Sequence, residues 1–250
     1  ILILGQFREF TDTRDGKTYK TVKIGEQIWF AENCAYLPQV MKPSEYSAET
    51  ACYYVYGYDG NDIEAAKATE SYKTRGVLYN WWAAGGSMDS KNTDVPSGIQ
   101  GPCPDGWHVP SEAEWQILYT YVRDRIPEEE SAIYWDGSTV YNVSGHLRSK
   151  DWPIQTDPDF PQLAKGGMDT CGFCAQVAGQ YHDNSEKGFL YGPEDPSGKY
   201  AYFWTPHYDA VTYPLYPGGV STCLTNYRYQ EDFGRGSSLS KGYSVRCLQN

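Results

Sequence analysis

The sequence predicts an α+β fold in which two main helices pack on an antiparallel sheet with long irregular loops. Three observations support this class. Apolar and polar residues alternate in the first thirty residues, one later segment carries a strong helix N-terminal cap, and short aromatic runs broken by glycine, proline and asparagine fill the chain after residue 130. No linker or internal repeat divides the 250 residues, so we expect a single domain over residues 1–250.

The first three elements are predicted to be strands of a meander. Asp15-Gly16 and Gly25-Glu26 are both typical of tight hairpin turns, and period-two alternation flanks both turns. The expected strands cover residues 7–12, 18–24 and 27–31.

Two segments that follow the meander have helical patterns. The alanine-rich run 63–68 is a weak helix candidate. Residues 76–84 are a stronger one, because Leu78, Trp81 and Trp82 stand at spacings that share one helical face. We therefore expect the first main helix over residues 76–84.

The clearest helix in the sequence begins at Ser111. Pro110 precedes this serine and Glu114 stands three residues after it, which forms a capping box in which each side chain binds the other residue's backbone amide. Apolar residues then recur on one face, at Trp115, Leu118, Tyr119 and Val122. We expect this helix over residues 111–124, ending before Pro127.

Charge and hydropathy exclude two kinds of interaction. The chain has 21 basic and 32 acidic residues, a net charge of −11, and no basic run that could follow a phosphate backbone, so nucleic acid is not an expected partner. It contains no apolar stretch of about 18 residues, so we expect no membrane span. Since it does not begin with methionine, we also expect it to be processed or trimmed.

Tyrosine is the most abundant aromatic residue. The chain has 23 tyrosines against 8 tryptophans and 8 phenylalanines. A tyrosine combines a large apolar ring, few side-chain torsions and a hydroxyl group, which suits a surface that must bind a ligand in water. The composition therefore favours a recognition surface, although β-rich proteins also place aromatic residues in their strands.

The cysteine content favours an oxidising compartment. Seven cysteines stand at positions 34, 52, 103, 171, 174, 223 and 247. Because the number is odd, at least one thiol is free or pairs outside this chain. Cys171 and Cys174 form a C-x-x-C, but no second pair stands at zinc spacing and no βαβ pattern surrounds it, so a structural role is favoured over redox chemistry or zinc binding.

No catalytic residue is assigned, and we do not expect an enzyme. The four histidines are His108, His146, His182 and His207, and His108 is expected to be packed ahead of the capped helix. The sequence contains no G-x-S-x-G elbow, no P-loop and no H-E-x-x-H.

No cofactor is expected, with calcium as the open alternative. The carboxylates of Asp157 and Asp159, or of Glu194 and Asp195, could hold calcium through oxygen ligands. Neither stretch has the spaced ligands of a dedicated loop, which favours solvated loop acids.

Blocks of residues along nearly the whole chain match one known family. The first blocks are Phe10-Thr11-Asp12, Arg14 to Gly25, Trp29 and Ala31-Glu32-Asn33. The most specific block runs from Cys103 to Ser111 with Glu112, Glu114 and Trp115, and the others are Gly76 to Trp81, Tyr202 to Thr205 and Gly242 to Cys247. These blocks resemble the Fibrobacter succinogenes major paralogous domain, found in secreted and surface proteins of gut and other Bacteroidetes-like bacteria.

The resemblance implies a C-type-lectin-like fold, in the broad version shared with formylglycine-generating enzymes. It implies that the termini lie close together and that Cys103 pairs with Cys247. The calcium and sugar triplets of sugar-binding lectins are absent, and the C-x-x-C at Cys171 does not have the context of the formylglycine enzymes' cysteine pair. Neither activity is therefore carried over from the fold.

The segment 200–235 resembles the variable loops of proteins diversified by diversity-generating retroelements. The candidate ligand-binding residues are Tyr200, Tyr202, His207, Tyr208, Asp209, Tyr213, Tyr216, Asn226, Tyr227, Tyr229, Asp232 and Arg235. The best surface candidates among them are Tyr208, Tyr213, Tyr216, Tyr227 and Tyr229. Phe203 and Trp204 belong to a family block and are expected in the core.

We therefore expect an exported adhesin or receptor-binding module, extracellular, on the cell surface or on a virion. Its tyrosine-rich loop surface would bind a glycan or a protein receptor on another cell. Two alternatives remain. One is a formylglycine-generating-like oxidase that uses Cys171, Cys174 or Cys223, and the other is a structural module of a fimbrial or phage-fibre assembly.

Overall fold

A computed structural model describes residues 6–90, 93–127, 131–133, 139–153, 166–183, 188–194, 200–212, 214–225 and 232–250. The strands are β1 (Gln6–Thr11), β2 (Thr18–Ile24), β3 (Gln27–Phe30), β4 (Tyr53–Tyr54), β5 (Leu78–Tyr79), β6 (Trp107–His108), β7 (Ser131–Ile133), β8 (Thr139–Tyr141), β9 (Gln180–Tyr181), β10 (Phe189–Leu190), β11 (Tyr200–Asp209), β12 (Gly218–Thr225), β13 (Asp232–Ser237) and β14 (Leu248–Gln249). The helices are α1 (Ile63–Ala68), α2 (Glu70–Arg75), α3 (Glu112–Arg123) and α4 (Val143–Leu147). The α+β class is the one that the sequence predicts.

The largest sheet has the order β1-β2-β3-β14-β6, and the second has the order β11-β12-β13. All pairs between these strands are antiparallel. The predicted meander is confirmed, and its three strands agree with the expected ranges to within one residue at each end. The two glycines of its turns, Gly16 and Gly25, have positive φ angles of 75° and 63°.

The helix predicted from the capping box is also confirmed. The Ser111 side chain accepts the Glu114 backbone N–H at 3.2 Å, and the Glu114 carboxylate accepts the Ser111 N–H at 2.8 Å. Both bonds satisfy backbone amides that the first helical turn leaves without an intrahelical partner.

Helix α3 packs between the two large sheets. Trp115 is fully buried, with its ring centroid 4.9 Å from that of Trp29 on β3 and 5.3 Å from that of Phe203 on β11. The Tyr119 hydroxyl hydrogen-bonds the Thr222 hydroxyl of β12 at 2.6 Å. The apolar face of the helix therefore fixes the second sheet against the first.

The helix predicted over residues 76–84 is wrong. The weak candidate 63–68 is confirmed as α1, but the next helix, α2, ends at Arg75 and is capped by Gly76, whose φ is 72°. A Cβ at this position would lie 2.6 Å from the Cys34 carbonyl oxygen, so the close approach requires glycine. Tyr79, in the strand β5 that follows, donates its N–H to the Tyr243 carbonyl at 2.8 Å.

The expectation of two main helices is also wrong, because the helix predicted over residues 76–84 does not form. Helix α3 has twelve residues, whereas α1, α2 and α4 have six, six and five. Within the described part of the chain, one main helix packs on antiparallel sheets, and no helix there is long and apolar enough to cross a membrane.

The structure contains the disulfide that the family resemblance implies. Cys103 and Cys247 are bonded, with 5.8 Å between their Cα atoms and a sequence separation of 144. Cys103 lies four positions before β6, and Cys247 lies directly before β14, the strand that pairs with β6. The bond therefore ties the segment that leads into α3 to the last strand.

Candidate functional site

The described residues of the predicted ligand-binding segment 200–235 form β11, part of the loop 210–217, β12 and the first part of β13. Four of its candidate residues lie outside the described residues, namely Tyr213, Asn226, Tyr227 and Tyr229. Asp232 is the first residue of β13. Phe203 and Trp204 are fully buried, which confirms their prediction as core residues.

Tyr200 and Tyr202 lie in an aromatic stack and are half-buried. Their rings are nearly parallel, at 13°, with centroids 5.4 Å apart, and Tyr202 also stacks on Tyr243 at 4.8 Å. Tyr243 in turn packs on Trp204 at 4.3 Å. Burial raises the pKa of the Tyr202 phenol. Because the two rings pack on other residues of the chain, they stabilise β11 and their faces are less available to a ligand.

His207 and Tyr208 are also half-buried. The Tyr208 ring lies 5.6 Å from that of Trp81, and Nδ1 of His207 lies 3.0 Å from the Ser90 carbonyl oxygen. Both side chains therefore hold neighbouring segments against the end of β11.

The described part of the loop 210–217 is different, because three of its large apolar side chains point into solvent. Val211 is 88% exposed, Leu215 is 85% exposed and Tyr216 is 72% exposed. Gly236 of β13 has a φ of 70°, and a Cβ there would lie 2.4 Å from the Tyr216 carbonyl oxygen. The glycine lets β13 lie directly against the backbone that carries Tyr216.

Asp209 and Arg235 hold the base of this loop. One carboxylate oxygen of Asp209 accepts the backbone N–H groups of Val211 and Thr212 at 2.9 and 2.8 Å, and the other accepts Nη1 of Arg235 at 3.1 Å. Nη2 of Arg235 donates to the Glu112 carboxylate in the first turn of α3. Since Asp209 is buried, the loop starts from a fixed, charged anchor.

The same bonds set the pKa of Asp209. Burial acts to raise it, but the hydrogen bonds from the Thr212 and Val211 amides and from Arg235 lower the pKa of the carboxyl to about 2. The folded-state pKa lies below the ordinary 3.8, so the stability from Asp209 is present above pH 3.8 and is lost as the pH falls through about 2.

We expect Asp209→Asn to lower the free energy of unfolding by about 1 kcal/mol at neutral pH, because it removes the charge from these hydrogen bonds. The difference from the wild type should shrink as the pH falls from 5 to about 2, where the wild-type carboxyl becomes protonated. Urea unfolding of the wild type and of Asp209→Asn across this pH range measures the difference in their free energies of unfolding. A difference that is the same at every pH would contradict the role of Asp209.

A second pair of segments, 87–90 and 93–97, attaches to the same end of the fold. Ser87 N–H and the Ser90 hydroxyl both donate to the Pro206 carbonyl of β11. Ser97 N–H donates to the Glu114 carboxylate of α3 at 3.3 Å. These segments carry two further exposed apolar side chains, Met88 at 55% and Val95 at 56%.

We call this set of exposed side chains the apolar loop surface. It consists of Met88, Val95, Val211, Leu215 and Tyr216. Eight large hydrophobic residues are exposed in the described part of the chain, and five of them belong to this set, while the other three are Phe7, Tyr46 and Ile117. Of these five residues only Tyr216 was predicted from the sequence, although the uncharged run 210–217 was a signal for Val211 and Leu215.

The histidine and cysteine side chains are mostly packed inside. His108 is buried as expected, with Nε2 at 2.8 Å from a Glu114 oxygen and Nδ1 at 2.7 Å from the Asn250 side-chain oxygen. Burial raises the pKa of the Cys171 thiol to about 12, and it also raises the pKa of the Cys174 thiol. A high pKa disfavours the thiolate that nucleophilic chemistry needs.

The calcium prediction is not tested. Asp157, Asp159 and Asp195 lie outside the described residues, and Glu194 is exposed. Among the residues that the structure describes, no three His, Cys, Asp or Glu side chains form a group that could hold a metal ion. Calcium binding at these acids therefore stays a prediction.

In the described part of the chain, these elements define an α+β protein with antiparallel sheets and one main helix. The model of the Fibrobacter succinogenes major domain family matches residues 22–249, and the chain belongs to that family. No curated protein and no solved structure matches the chain.

Proposed function

We propose that this chain is a binding module of an exported adhesin or receptor-binding protein, on a cell or a virion surface. It would use the apolar loop surface and the tyrosines of segment 200–235 to hold a glycan or protein receptor on another cell. The observation that carries the proposal is the concentration of five exposed large apolar side chains on segments anchored to one frame.

Anchored apolar groups suit recognition for an energetic reason. Burying apolar area is the main favourable term in association, and ordering a flexible loop at the moment of binding opposes it. The bonds of Asp209 to Val211, Thr212 and Arg235 order the start of the loop before any ligand arrives. Less of the interaction energy is then needed to fix the loop.

A C-type-lectin-like arrangement and a diversified segment 200–235 belong to this proposal. Their support is the family membership and the seven tyrosines of the segment. The test of diversification lies in the DNA. A nearby imperfect copy of the sequence that encodes residues 200–235, differing only at adenines, is expected, and its absence would count against diversification.

The raised pKa values of Cys171 and Cys174 support a non-catalytic role over a formylglycine-generating-like oxidase. A structural module of a fimbrial or phage-fibre assembly would expose the same apolar loops to neighbouring subunits. That alternative predicts no binding to soluble glycans or receptors.

We expect Tyr216→Ala to weaken ligand binding by about five- to a thousand-fold, or 1–4 kcal/mol. Because the side chain is 72% exposed, the free energy of unfolding should change by less than about 0.5 kcal/mol. Binding to glycan arrays and host-cell extracts, together with urea unfolding, measures the two effects.

The matched control is Tyr46→Ala, which removes another exposed tyrosine outside the apolar loop surface. It should leave binding unchanged. If Tyr216→Ala retained full affinity, or lowered stability as much as affinity, Tyr216 would not be an anchor of the site.

A further inference from the structure

Three polar side chains near the apolar loop surface, those of Asp209, Arg235 and His207, are engaged within the chain. Asp209 accepts three hydrogen bonds, and Arg235 donates to both Asp209 and Glu112. His207 hydrogen-bonds the Ser90 carbonyl. Among the residues that the structure describes, the apolar loop surface therefore offers a ligand mainly aliphatic groups and the single tyrosine ring of Tyr216.

The chemistry of these side chains disfavours a sugar as the ligand. A glycan presents hydroxyl groups that need donors and acceptors, and its flat faces stack on aromatic rings. Four of the five side chains of the apolar loop surface are aliphatic or thioether groups, and the rings of Tyr200 and Tyr202 already stack on each other. Breaking the bonds of Asp209 or Arg235 to reach a hydroxyl would leave buried charge without its partner.

The charge pattern discriminates against lipid bilayers. Loops that insert into a membrane interface are typically flanked by lysine and arginine, which bind anionic headgroups. The run 210–217 contains no charged residue, and the whole chain has a net charge of −11. An anionic membrane surface would repel it.

We propose that the apolar loop surface binds a protein, and that Val211, Leu215 and Tyr216 enter an apolar concave site on that partner with a neutral or basic rim. The inference rests on the proposed binding function and names its partner class. Protruding aliphatic and tyrosine side chains on an anchored loop match the buried centre of protein interfaces, where a few such groups fill pockets. The net charge of −11 makes a basic rim complementary.

The test uses the fluorescently labelled full chain and a panel of bacterial and epithelial cells. Cells are left untreated, treated with periodate to destroy glycans, or treated with proteinase K to remove surface proteins. Phosphatidylglycerol vesicles serve as the lipid probe. We expect binding to untreated and to periodate-treated cells, loss of binding after proteinase K, and no binding to the vesicles.

Three variants connect this result to the loop. Leu215→Asp places a charge in the partner's apolar site and should weaken cell binding at least thirty-fold. Leu215→Met keeps the side chain apolar, and Ile117→Asp adds a charge at an exposed apolar position outside the surface, so both should bind within about twofold of the wild type.

The outcomes separate this inference from the proposed function. Binding that periodate abolishes and proteinase K spares would identify a glycan, and comparable binding to the vesicles would identify a lipid. Either result overturns the protein partner but keeps a binding role. If Leu215→Asp and Tyr216→Ala bound like the wild type, or if the wild type bound no probe, both proposals would be refuted.

Discussion

Replacing Arg246 with alanine is expected to lower the free energy of unfolding by about 3–5 kcal/mol. Arg246 is fully buried, and its guanidinium donates to the carbonyls of Phe30 and Phe173 at 3.2 and 2.6 Å and to the Asn33 side-chain oxygen at 2.7 Å. It also lies over the rings of Phe173 and Phe203. Alanine would leave three acceptors without this donor and a cavity between the rings.

Burial lowers the pKa of Arg246 to about 10, so the group remains protonated at neutral pH. Its charge is held by hydrogen bonds to dipoles of two segments, residues 30–33 and the segment of Phe173, so that with its own segment three parts of the chain meet at this side chain. Lysine at position 246 keeps the charge but has no planar fork to reach all three acceptors, so Arg246→Lys should recover only part of the loss.

Urea unfolding under non-reducing conditions measures these effects. The control is Arg123→Ala, whose side chain is 47% exposed and pairs with its neighbour Asp124, and it should cost less than about 0.5 kcal/mol. Should Arg246→Ala unfold at the same urea concentration as this control, the guanidinium would not hold the three segments together.

The elements that could be predicted from sequence are those that a few neighbouring residues determine. The turn at Gly25 needs a positive φ that glycine supplies, and Ser111 and Glu114 satisfy each other within one helical turn. Neither depends on a distant segment. The boundaries of β2 and α3 could therefore be predicted from the sequence.

The segment 76–84 could not be predicted in this way. Leu78 and Trp81 have helical spacing because both are buried, but the backbone around them pairs with a distant part of the chain. Tyr79 N–H binds the Tyr243 carbonyl, and Trp81 N–H binds that of Leu239. Long-range pairing of this kind overrides a local pattern.

The same limit applies to the candidate site. Alternation along β11 indicates that Tyr200 and Tyr202 share one face, but only the fold shows that Tyr243 covers this face. The exposure of Leu215 depends on the anchor between Asp209 and Arg235, which joins residues 26 positions apart. The amino-acid composition predicted tyrosines as ligand-binding residues and did not indicate the aliphatic ones.

Removing the disulfide, by Cys103→Ala together with Cys247→Ala, is expected to lower the free energy of unfolding by about 4–5 kcal/mol. The bond closes a loop of 144 positions, and a crosslink across so long a loop strongly restricts the unfolded chain. Both cysteines are fully buried, so alanine is the better replacement, because serine would add a buried hydroxyl.

The wild type in strong reductant is the control for this prediction, because it loses the crosslink while it keeps both sulfur atoms. Its urea midpoint should fall to that of the double variant, and the double variant should not respond to reductant. The other five cysteines form no disulfide in the structure, so reductant has no other crosslink to remove. If the double variant retained the midpoint of the oxidised wild type, the Cys103–Cys247 bond would contribute little to the frame on which the loops depend.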